Sequence, residues 1–341
     1  MLIRKICKLY PVNKGSIVIV ALHRLGDSVF TIPAIKHIQN HYKSKVTIVC
    51  FPHSLPIFQI GLRDVEYCPL ESNNFYFDKR VAGLKNKKIF KKIKPKIIYD
   101  LTGVMSSASL ILTSRAKEIN GMSREQFKYI FDNHVLIRNK AHQIDVYLDA
   151  ISSNIQISKR DKLIQFPVNY NKEDRILIHP LAGWKAKQWG LRKYLMLAKK
   201  LKEKYEVYLI APKNTYQFEI KTTCEFNAVD LIETESVNEL IEQIKKCSIL
   251  IGNDSGPIQI AGLLGKLTFT LYGSTNPDFH LPIGKNHSFA SVPLKCSPKA
   301  EDKLCFTHGG LYGCPSYECM NLLSVDAVYN KISSFLSKVN N

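Results

Sequence analysis

The chain lacks the two glycine-rich signatures that point most directly to nucleotide binding. The turn after its first apolar segment, His23-Arg24-Leu25-Gly26-Asp27, does not match G-x-G-x-x-G. No G-x-x-x-x-G-K-[ST] loop occurs in the 341 residues. These absences argue against a nicotinamide-dependent oxidoreductase and against a P-loop NTPase.

Long apolar runs are also missing. No stretch approaches the roughly 20 apolar residues that span a bilayer. Residues 1–7 are basic, but they lack the apolar stretch that is typical of a signal peptide. We therefore expect a cytoplasmic protein, in which the nine cysteines are thiols or metal ligands rather than disulfides.

Acidic residues are few relative to basic ones. The chain has 29 Asp and Glu against 48 Lys and Arg, which gives a formal net charge of +19. Such an excess indicates an anionic partner, which could be nucleic acid, a phospholipid surface or an acidic substrate. The length and the 45% hydrophobic content leave room for two globular domains, each with its own core.

The densest block of positive charge covers residues 78–96, which we interpret as a basic helix with a partial apolar face. A solvated helix face is one interpretation of this block. A helix that lies on anionic lipid head groups is the second, and a nucleic-acid contact is the third.

Apolar runs typical of strands alternate with segments of helical periodicity in both halves of the chain. In the first half we predict strands over 17–22, 45–51 and 96–101, and a helix over 29–42. A polar stretch near 158–175 indicates an interdomain linker. In the second half we predict strands over 175–179, 206–211, 248–251 and 267–272, and helices over 191–203, 237–246, 257–264 and 324–339. This alternation predicts an α/β fold with parallel sheets, whose two halves face a cleft.

Asp27 follows Gly26 near the carboxyl end of the first predicted strand, where ligands bind in open α/β sheets. A carboxylate there could take a proton from a hydroxyl group, and a helix start favours its ionised form. The alternative is that Asp27 or Ser28 caps the following helix.

A lysine-containing loop follows the first strand of the second half. Gly183 permits close backbone approach, and Lys185 and Lys187 could neutralise a diphosphate. The alternative is a loop with two solvated lysines. Trp184 and Trp189 are expected to pack against the next helix rather than to stack on a base.

The sharpest local pattern is Asp254-Ser255-Gly256-Pro257, a polar turn between a buried strand and a helix. Ser255 suits the N-cap and Pro257 suits the first helical turn. The backbone N–H groups of such a helix start can bind phosphate, and Asp254 could accept hydrogen bonds from sugar hydroxyls. The alternative is a turn without a ligand. Thr275, after the next strand, adds a hydroxyl to the same predicted cleft.

Four cysteines lie close together late in the sequence: Cys296, Cys305, Cys314 and Cys319. Four thiolates could hold a structural zinc or iron ion, but the tight C-x2-C pairs typical of such sites are missing. We expect reduced thiols in a loop, with a metal site as the alternative.

Taken in order, these motifs resemble glycosyltransferase family 9, the lipopolysaccharide heptosyltransferases. The matching motifs are L-G-D at 25–27 with T-I-P-A-I at 31–35, I-H-P at 178–180 with K-Q-W at 187–189, N-D-S-G-P at 253–257 with Ala261, and Y-G-S-T-N-P at 272–277. The tail from Cys314 to Met320 is also similar to the family's ending, and the similarity covers nearly the whole chain.

The resemblance implies a GT-B fold, in which two Rossmann-like domains with parallel sheets face a central cleft. Residues 1–165 would bind the acceptor, 171–323 would bind the nucleotide-sugar donor, and 324–341 would form a C-terminal helix. The resemblance further implies Asp27 as the base, Lys187 at the donor phosphates and Asp254 at the donor sugar. The remaining predicted donor-binding residues are Gly183, Ser255, Gly256, Pro257 and Thr275.

We therefore expect an inverting glycosyltransferase that needs neither metal nor cofactor and acts on the inner membrane's cytoplasmic face. It would move a sugar from a nucleotide-diphosphate sugar, ADP-heptose by family default, to a lipopolysaccharide core or related glycan. Gln259 stands where family members often carry histidine. Because glutamine carries no charge, this difference leaves the identity of the donor sugar undetermined. The alternatives are a sugar-nucleotide epimerase and a nucleic-acid-binding module, although the lysine block lacks the interleaved aromatics of the latter.

Overall fold

The computed structural model describes residues 5–7, 11, 14–123, 125–138, 141–157, 175–213, 217–300, 302–305, 314 and 316–340. The chain divides into two compact units, Met1–Ile164 and Gln165–Asn341. Apart from Arg175, the predicted linker lies outside the described residues.

The first unit contains a six-stranded parallel sheet with helices in its crossovers. Its strands are β1 (Ile17–Ala21), β2 (Val46–Cys50), β3 (Val65–Pro69), the short β4 (Val81–Ala82), β5 (Ile97–Asp100), β6 (Glu118–Ser123) and β7 (Asn133–Leu136). Its helices are α1 (Leu25–Tyr42), α2 (Leu55–Gly61), α3 (Tyr76–Lys79), α4 (Leu84–Ile93), α5 (Met105–Ile111) and α6 (Gln143–Asp149). The sheet order is β3-β2-β1-β5-β6-β7, so β4 lies outside the sheet.

The apolar runs of β1 and β2 explain their central position. Both strands are almost fully buried, as expected when helices cover both faces of a parallel sheet. Val20 lies opposite Asp100 in the register of β1 and β5, so the turns after these two strands are neighbours at the carboxyl edge.

Helix α1 begins at Leu25, four residues earlier than predicted, and this changes the surroundings of Asp27. Arg24 is the N-cap residue and makes no side-chain capping bond, and Ser28 Oγ donates to the Arg24 carbonyl at 2.9 Å. Asp27 lies inside the first turn. The prediction that Asp27 or Ser28 caps this helix is therefore wrong.

The basic block at 78–96 is not one helix, because a turn and the short strand β4 come before helix α4 within it. Phe77 and Asp78 have positive φ angles of 51° and 53°, and β4 follows them. Helix α4 starts after Gly83 and ends where Lys94, with a φ of 51°, takes the left-handed conformation ahead of Pro95. The regular helix of the block is therefore the ten residues Leu84–Ile93, because the short α3 has non-helical angles at Phe77 and Asp78.

The second unit repeats the architecture. Its strands are β8 (Arg175–His179), β9 (Glu206–Pro212), β10 (Asp230–Thr234), β11 (Ile249–Asn253), β12 (Leu267–Leu271) and β13 (His287–Ala290). Its helices are α7 (Leu191–Leu201), α8 (Gln217–Phe226), α9 (Val237–Lys245), α10 (Gly256–Leu263), α11 (Pro277–His280), α12 (Glu318–Asn321) and α13 (Val325–Asn340). The order β10-β9-β8-β11-β12-β13 is again entirely parallel.

The last helix, α13, belongs to the core of this second unit. Val328, Ile332 and Leu336 are buried in one cluster with strands β8, β9, β11 and β12. Lys200 Nζ on α7 also lies 2.6 Å from Asp326 Oδ1 on α13. Within the described ranges, no helix combines the length and the apolar character that crossing a membrane requires.

Candidate active site

The carboxyl edge of the second sheet gathers three of the turns that the sequence singled out. In the ladder Gly252 lies opposite His179, and Asn253 lies opposite Leu271. The turns that follow β8, β11 and β12 therefore leave the sheet side by side. They carry Lys187, Asp254 and Thr275 respectively.

Lys187 and Asp254 form an ion pair at this edge. Lys187 Nζ donates to Asp254 Oδ2 at 2.5 Å, and the two side chains are only 14% and 6% exposed. The ammonium also lies 4.5 Å from the centre of the Trp184 ring. Two residues that are 67 positions apart are thus joined in a largely buried site.

The carboxylate of Asp254 is held in its charged form. Burial acts to raise its pKa, but the charges of Lys187 and His280 and the hydrogen bond from Lys187 outweigh burial. The net effect is a pKa below the ordinary value of an aspartate. The buried phenol of Tyr272 lies near this carboxylate, and burial together with that charge raises the Tyr272 pKa.

Several hydroxyl groups in these turns are buried without a protein partner. Among the described residues, no hydrogen bond reaches Ser255 Oγ, Ser274 Oγ or Tyr272 OH. Ser255 occupies the predicted N-cap position of α10, with Pro257 in the first turn, but the Ser255 hydroxyl makes no capping hydrogen bond. Buried hydroxyls of this kind leave donors and acceptors available to a ligand.

Asn253 fixes the loop that carries Lys187. Its Oδ1 accepts hydrogen bonds from the backbone N–H of Trp189 at 3.0 Å and from Tyr194 OH at 2.9 Å. Its Nδ2 donates to the Pro180 carbonyl at 2.8 Å. One fully buried amide thus connects the end of β11 to the loop after β8 and to α7.

The other residues of the Lys187 loop take different roles. Trp189 is buried and packs edge-on against Tyr194 of α7, as predicted for packing against the helix. Trp184 instead lies beneath the Lys187 ammonium. Lys185 points elsewhere, with Nζ 5.7 Å from the Tyr317 ring centre, and Gly183 is exposed.

Gln259, which stands where family members often carry histidine, forms a hydrogen bond within the protein. Its Nε2 donates to the His280 carbonyl at 2.6 Å, and the side chain is buried. This bond ties α10 to the end of α11, where the charge of His280 acts on Asp254.

In the first unit, the charge of Asp27 acts on two aromatic side chains, those of His23 and Tyr147. Burial lowers the pKa of His23, while the charge of Asp27 and a bond to the Leu101 carbonyl oppose this. The His23 Nε2 to Leu101 O distance is 3.0 Å, and the His23 and Tyr147 rings meet edge to face at 5.3 Å. Burial and the charge of Asp27 raise the pKa of Tyr147. The half-buried Asp27 therefore acts electrostatically on both residues.

All nine cysteines are thiols without a disulfide. In the portions of the chain that are described, no group of three or more Cys, His, Asp or Glu side chains is arranged to hold a metal ion.

Sequence patterns did not reveal every residue of these sites. His280 lies 26 positions after Asp254 and outside every motif, and Tyr147, on which the charge of Asp27 acts, lies on a helix more than 100 positions from Asp27. His23 lies two residues before the L-G-D motif, and this proximity was the one sequence signal that could have indicated its place in the site. The binding and catalytic roles of the residues that the sequence did select remain predictions.

Comparison with known proteins identifies the family. The sequence profile of glycosyltransferase family 9 (heptosyltransferase) matches residues 87–308, which is more than half of the chain. Lipooligosaccharide heptosyltransferase 2 of Campylobacter jejuni subsp. jejuni serotype O:6 is 20% identical over 327 residues, 90% of this chain and 95% of that protein.

Solved structures agree on the fold. A family 9 glycosyltransferase from Veillonella parvula superposes with a TM-score of 0.76 at 17% identity, covering 96% of this chain and 99% of that one. The E. coli ADP-heptose lps heptosyltransferase II superposes with a TM-score of 0.72 at 16% identity, covering 96% of this chain and 100% of that one. Two α/β units, each with a six-stranded parallel sheet, confirm the predicted pair of Rossmann-like domains of the GT-B fold. The chain belongs to glycosyltransferase family 9, the heptosyltransferase family.

Proposed function

We propose that this protein transfers heptose from ADP-heptose to a lipopolysaccharide core or related glycan, by an inverting displacement that uses neither metal nor cofactor. Family membership supports glycosyl transfer over the epimerase and nucleic-acid alternatives. The names of the Campylobacter and E. coli relatives supply the sugar, the nucleotide and the acceptor class. The acceptor's membrane anchor would bring this strongly basic protein to the inner membrane surface.

The Lys187–Asp254 ion pair is the observation that carries the proposed donor site. An ammonium has three N–H donors, so the bond to Asp254 leaves two for the oxygens of a diphosphate. Asp254 Oδ1 can likewise accept a hydrogen bond from a sugar hydroxyl while Oδ2 stays paired. The pair can therefore hold both parts of a nucleotide-sugar without breaking.

The neighbouring groups suit the same ligand. The N-terminal end of α10, at Gly256 and Pro257, provides a partial positive charge for a phosphate. The hydroxyls of Ser255, Ser274 and Tyr272 need hydrogen-bond partners that a sugar or phosphate can supply.

Asp27 would serve as the general base of the reaction. The acceptor hydroxyl oxygen forms the new bond to the anomeric carbon while the bond from that carbon to the diphosphate oxygen breaks. The proton moves to the Asp27 carboxylate, and the electron pair leaves with the diphosphate. Lys187 and the start of α10 would stabilise the charge that develops there.

Donor protection against thermal unfolding tests this proposal. A ligand present at 100 times its Kd stabilises the native state by about 2.7 kcal/mol. We expect ADP-heptose to raise Tm by several degrees, and nucleotide-sugars with other sugars or bases to do so less. A larger shift with a different nucleotide-sugar would overturn the donor assignment. Conversion of the donor in the absence of any acceptor, without hydrolysis, would favour an epimerase instead.

A further inference from the structure

The first unit contains a basic cavity away from the predicted transfer chemistry. Its volume is about 430 Å³, within the range of roughly 300–1,000 Å³ that ligand pockets have. Lys87, Lys91 and Lys94 line it from α4 and its C-cap, and Arg115 lines it from the segment before β6. Phe90 and Leu110 form an apolar part of the wall.

The cavity lies at the opposite edge of the sheet from Asp27. Lys94 and Pro95 come just before β5 begins, and Arg115 comes just before β6 begins, whereas Asp27 follows the end of β1. Strands β1 and β5 run parallel in register, and four strand residues span roughly 13 Å. The cavity is therefore separate from the site at which Asp27 would act.

The spacing of the lysines gathers positive charge on one side of a short helix. Lys87 and Lys91 are four positions apart and lie on one face of α4, and Lys94, the left-handed C-cap residue beyond its last turn, lines the same cavity. Like charges at this spacing disfavour the helix. Among the described residues, no carboxylate pairs with any of these three lysines.

The negative C-terminal ends of nearby helices do not balance the charge of the three lysines. Each helix C-terminus carries about half a negative elementary charge, so the ends of α4 and α5 together offset roughly one of the three lysine charges. Lys87 is also the fourth residue of α4, remote from its C-terminal turn. An excess of about two positive charges remains to attract an anion.

We propose that this cavity is a phosphate-binding site. A phosphate group matches its charge, because three ammonium groups can donate hydrogen bonds to oxygens that carry up to two negative charges. The apolar wall formed by Phe90 and Leu110 can contact the carbon atoms of a phosphate ester. Such a group reaches the cavity either on a lipid head group or on a small soluble molecule.

The test compares two double variants of the full-length chain. Lys87→Gln with Lys91→Gln removes two cavity lysines. Lys88→Gln with Lys92→Gln removes two exposed lysines of the same helix that do not line the cavity. The two proteins have the same net charge, and equal Tm values would show that both fold like the unmodified chain.

Two probes distinguish the sources of phosphate. Vesicles of phosphatidylglycerol in phosphatidylcholine test a lipid head group, and glycerol 3-phosphate tests a soluble ester. We expect the cavity variant to lose at least tenfold in affinity for one probe while the control variant changes less than twofold. The probe affected identifies the source.

Equal losses in the two variants would show diffuse surface attraction and overturn the proposal. Unchanged binding of both probes in the cavity variant would overturn it as well. ADP-heptose protection does not involve this cavity, so failure here leaves the proposed donor site standing, and failure of that donor site leaves this proposal standing.

Discussion

The side chain of Asn253 accepts a hydrogen bond from the backbone N–H of Trp189 at 3.0 Å, which fixes the loop that presents Lys187 to Asp254. Asn253→Ala would remove this bond and two others from a fully buried position. Leaving those partners unsatisfied should lower the unfolding free energy by about 3 kcal/mol. Chemical denaturation measures this. Asn227→Ala, which removes one hydrogen bond to Thr223, should cost less than about 1 kcal/mol, and equal losses would contradict the explanation.

Lys187→Ala should chiefly weaken donor binding. Charge-assisted hydrogen bonds contribute about 1.5–3 kcal/mol each, so the Kd for ADP-heptose should rise roughly 10- to 100-fold in calorimetry. Lys185→Ala is the matched control, because Lys185 lies in the same turn but faces Tyr317. The assignment fails if both variants bind the donor like the unmodified protein.

Asp27→Asn should separate chemistry from donor binding. Loss of a general base lowers turnover by about 10²- to 10⁴-fold, whereas the donor Kd should stay the same because the donor residues lie in the other unit. Asp78→Asn removes the same charge from an exposed position of the first unit and should leave turnover unchanged. Near-normal turnover of the Asp27 variant would reject the role of Asp27 as base.

His179 should make folding sensitive to mild acid. Burial lowers its pKa to about 4 from the ordinary 6.5, so between these values the unfolded chain binds the extra proton and stability falls as pH decreases. The contribution lost between pH 7 and pH 5 is about 2 kcal/mol.

The measurement must compare variants, because Asp100 opposes this trend. Burial raises the Asp100 pKa to about 6, so stability from Asp100 increases as pH falls. His287, whose pKa burial also lowers to about 4, adds a similar acid-sensitive part. In denaturation at pH 7 and pH 5, His179→Gln should remove only the acid-sensitive part that His179 contributes. The exposed His41→Gln should keep it, and identical pH slopes in both variants would contradict the assignment.

Much of the fold could be predicted because its central strands are apolar runs. Strands β1, β8, β11 and β12 differ from their predicted bounds by two residues or fewer. The polar strands β6 and β7 gave no such signal. The burial of Asn120 in β6 is partly offset by hydrogen bonds that Asn133 and Asn154 donate to its Oδ1 at 2.7 and 3.0 Å, and partners so distant in sequence cannot be inferred from one strand.

In the candidate site, too, features encoded by a local sequence pattern could be predicted, and contacts between distant residues could not. The turn around Asp254 was recognisable because strand, polar turn and proline-started helix follow one another directly. The choice of Lys187 over Lys185 rested on the family resemblance, and in the structure Lys187 is the one that contacts Asp254. The proximity of His280 depends on how α10 and α11 pack, with Gln259 bound to the His280 carbonyl, and no local pattern encodes it.

The position of α13 has a consequence for biosynthesis. During translation this helix emerges after every strand of the sheet that it covers. Until then the nascent second unit exposes an apolar surface to solvent. The first unit, by contrast, can complete its own hydrophobic core much earlier in synthesis. A chain cut before Val325 would keep the residues proposed for the donor site and still be a substrate for chaperones and proteases.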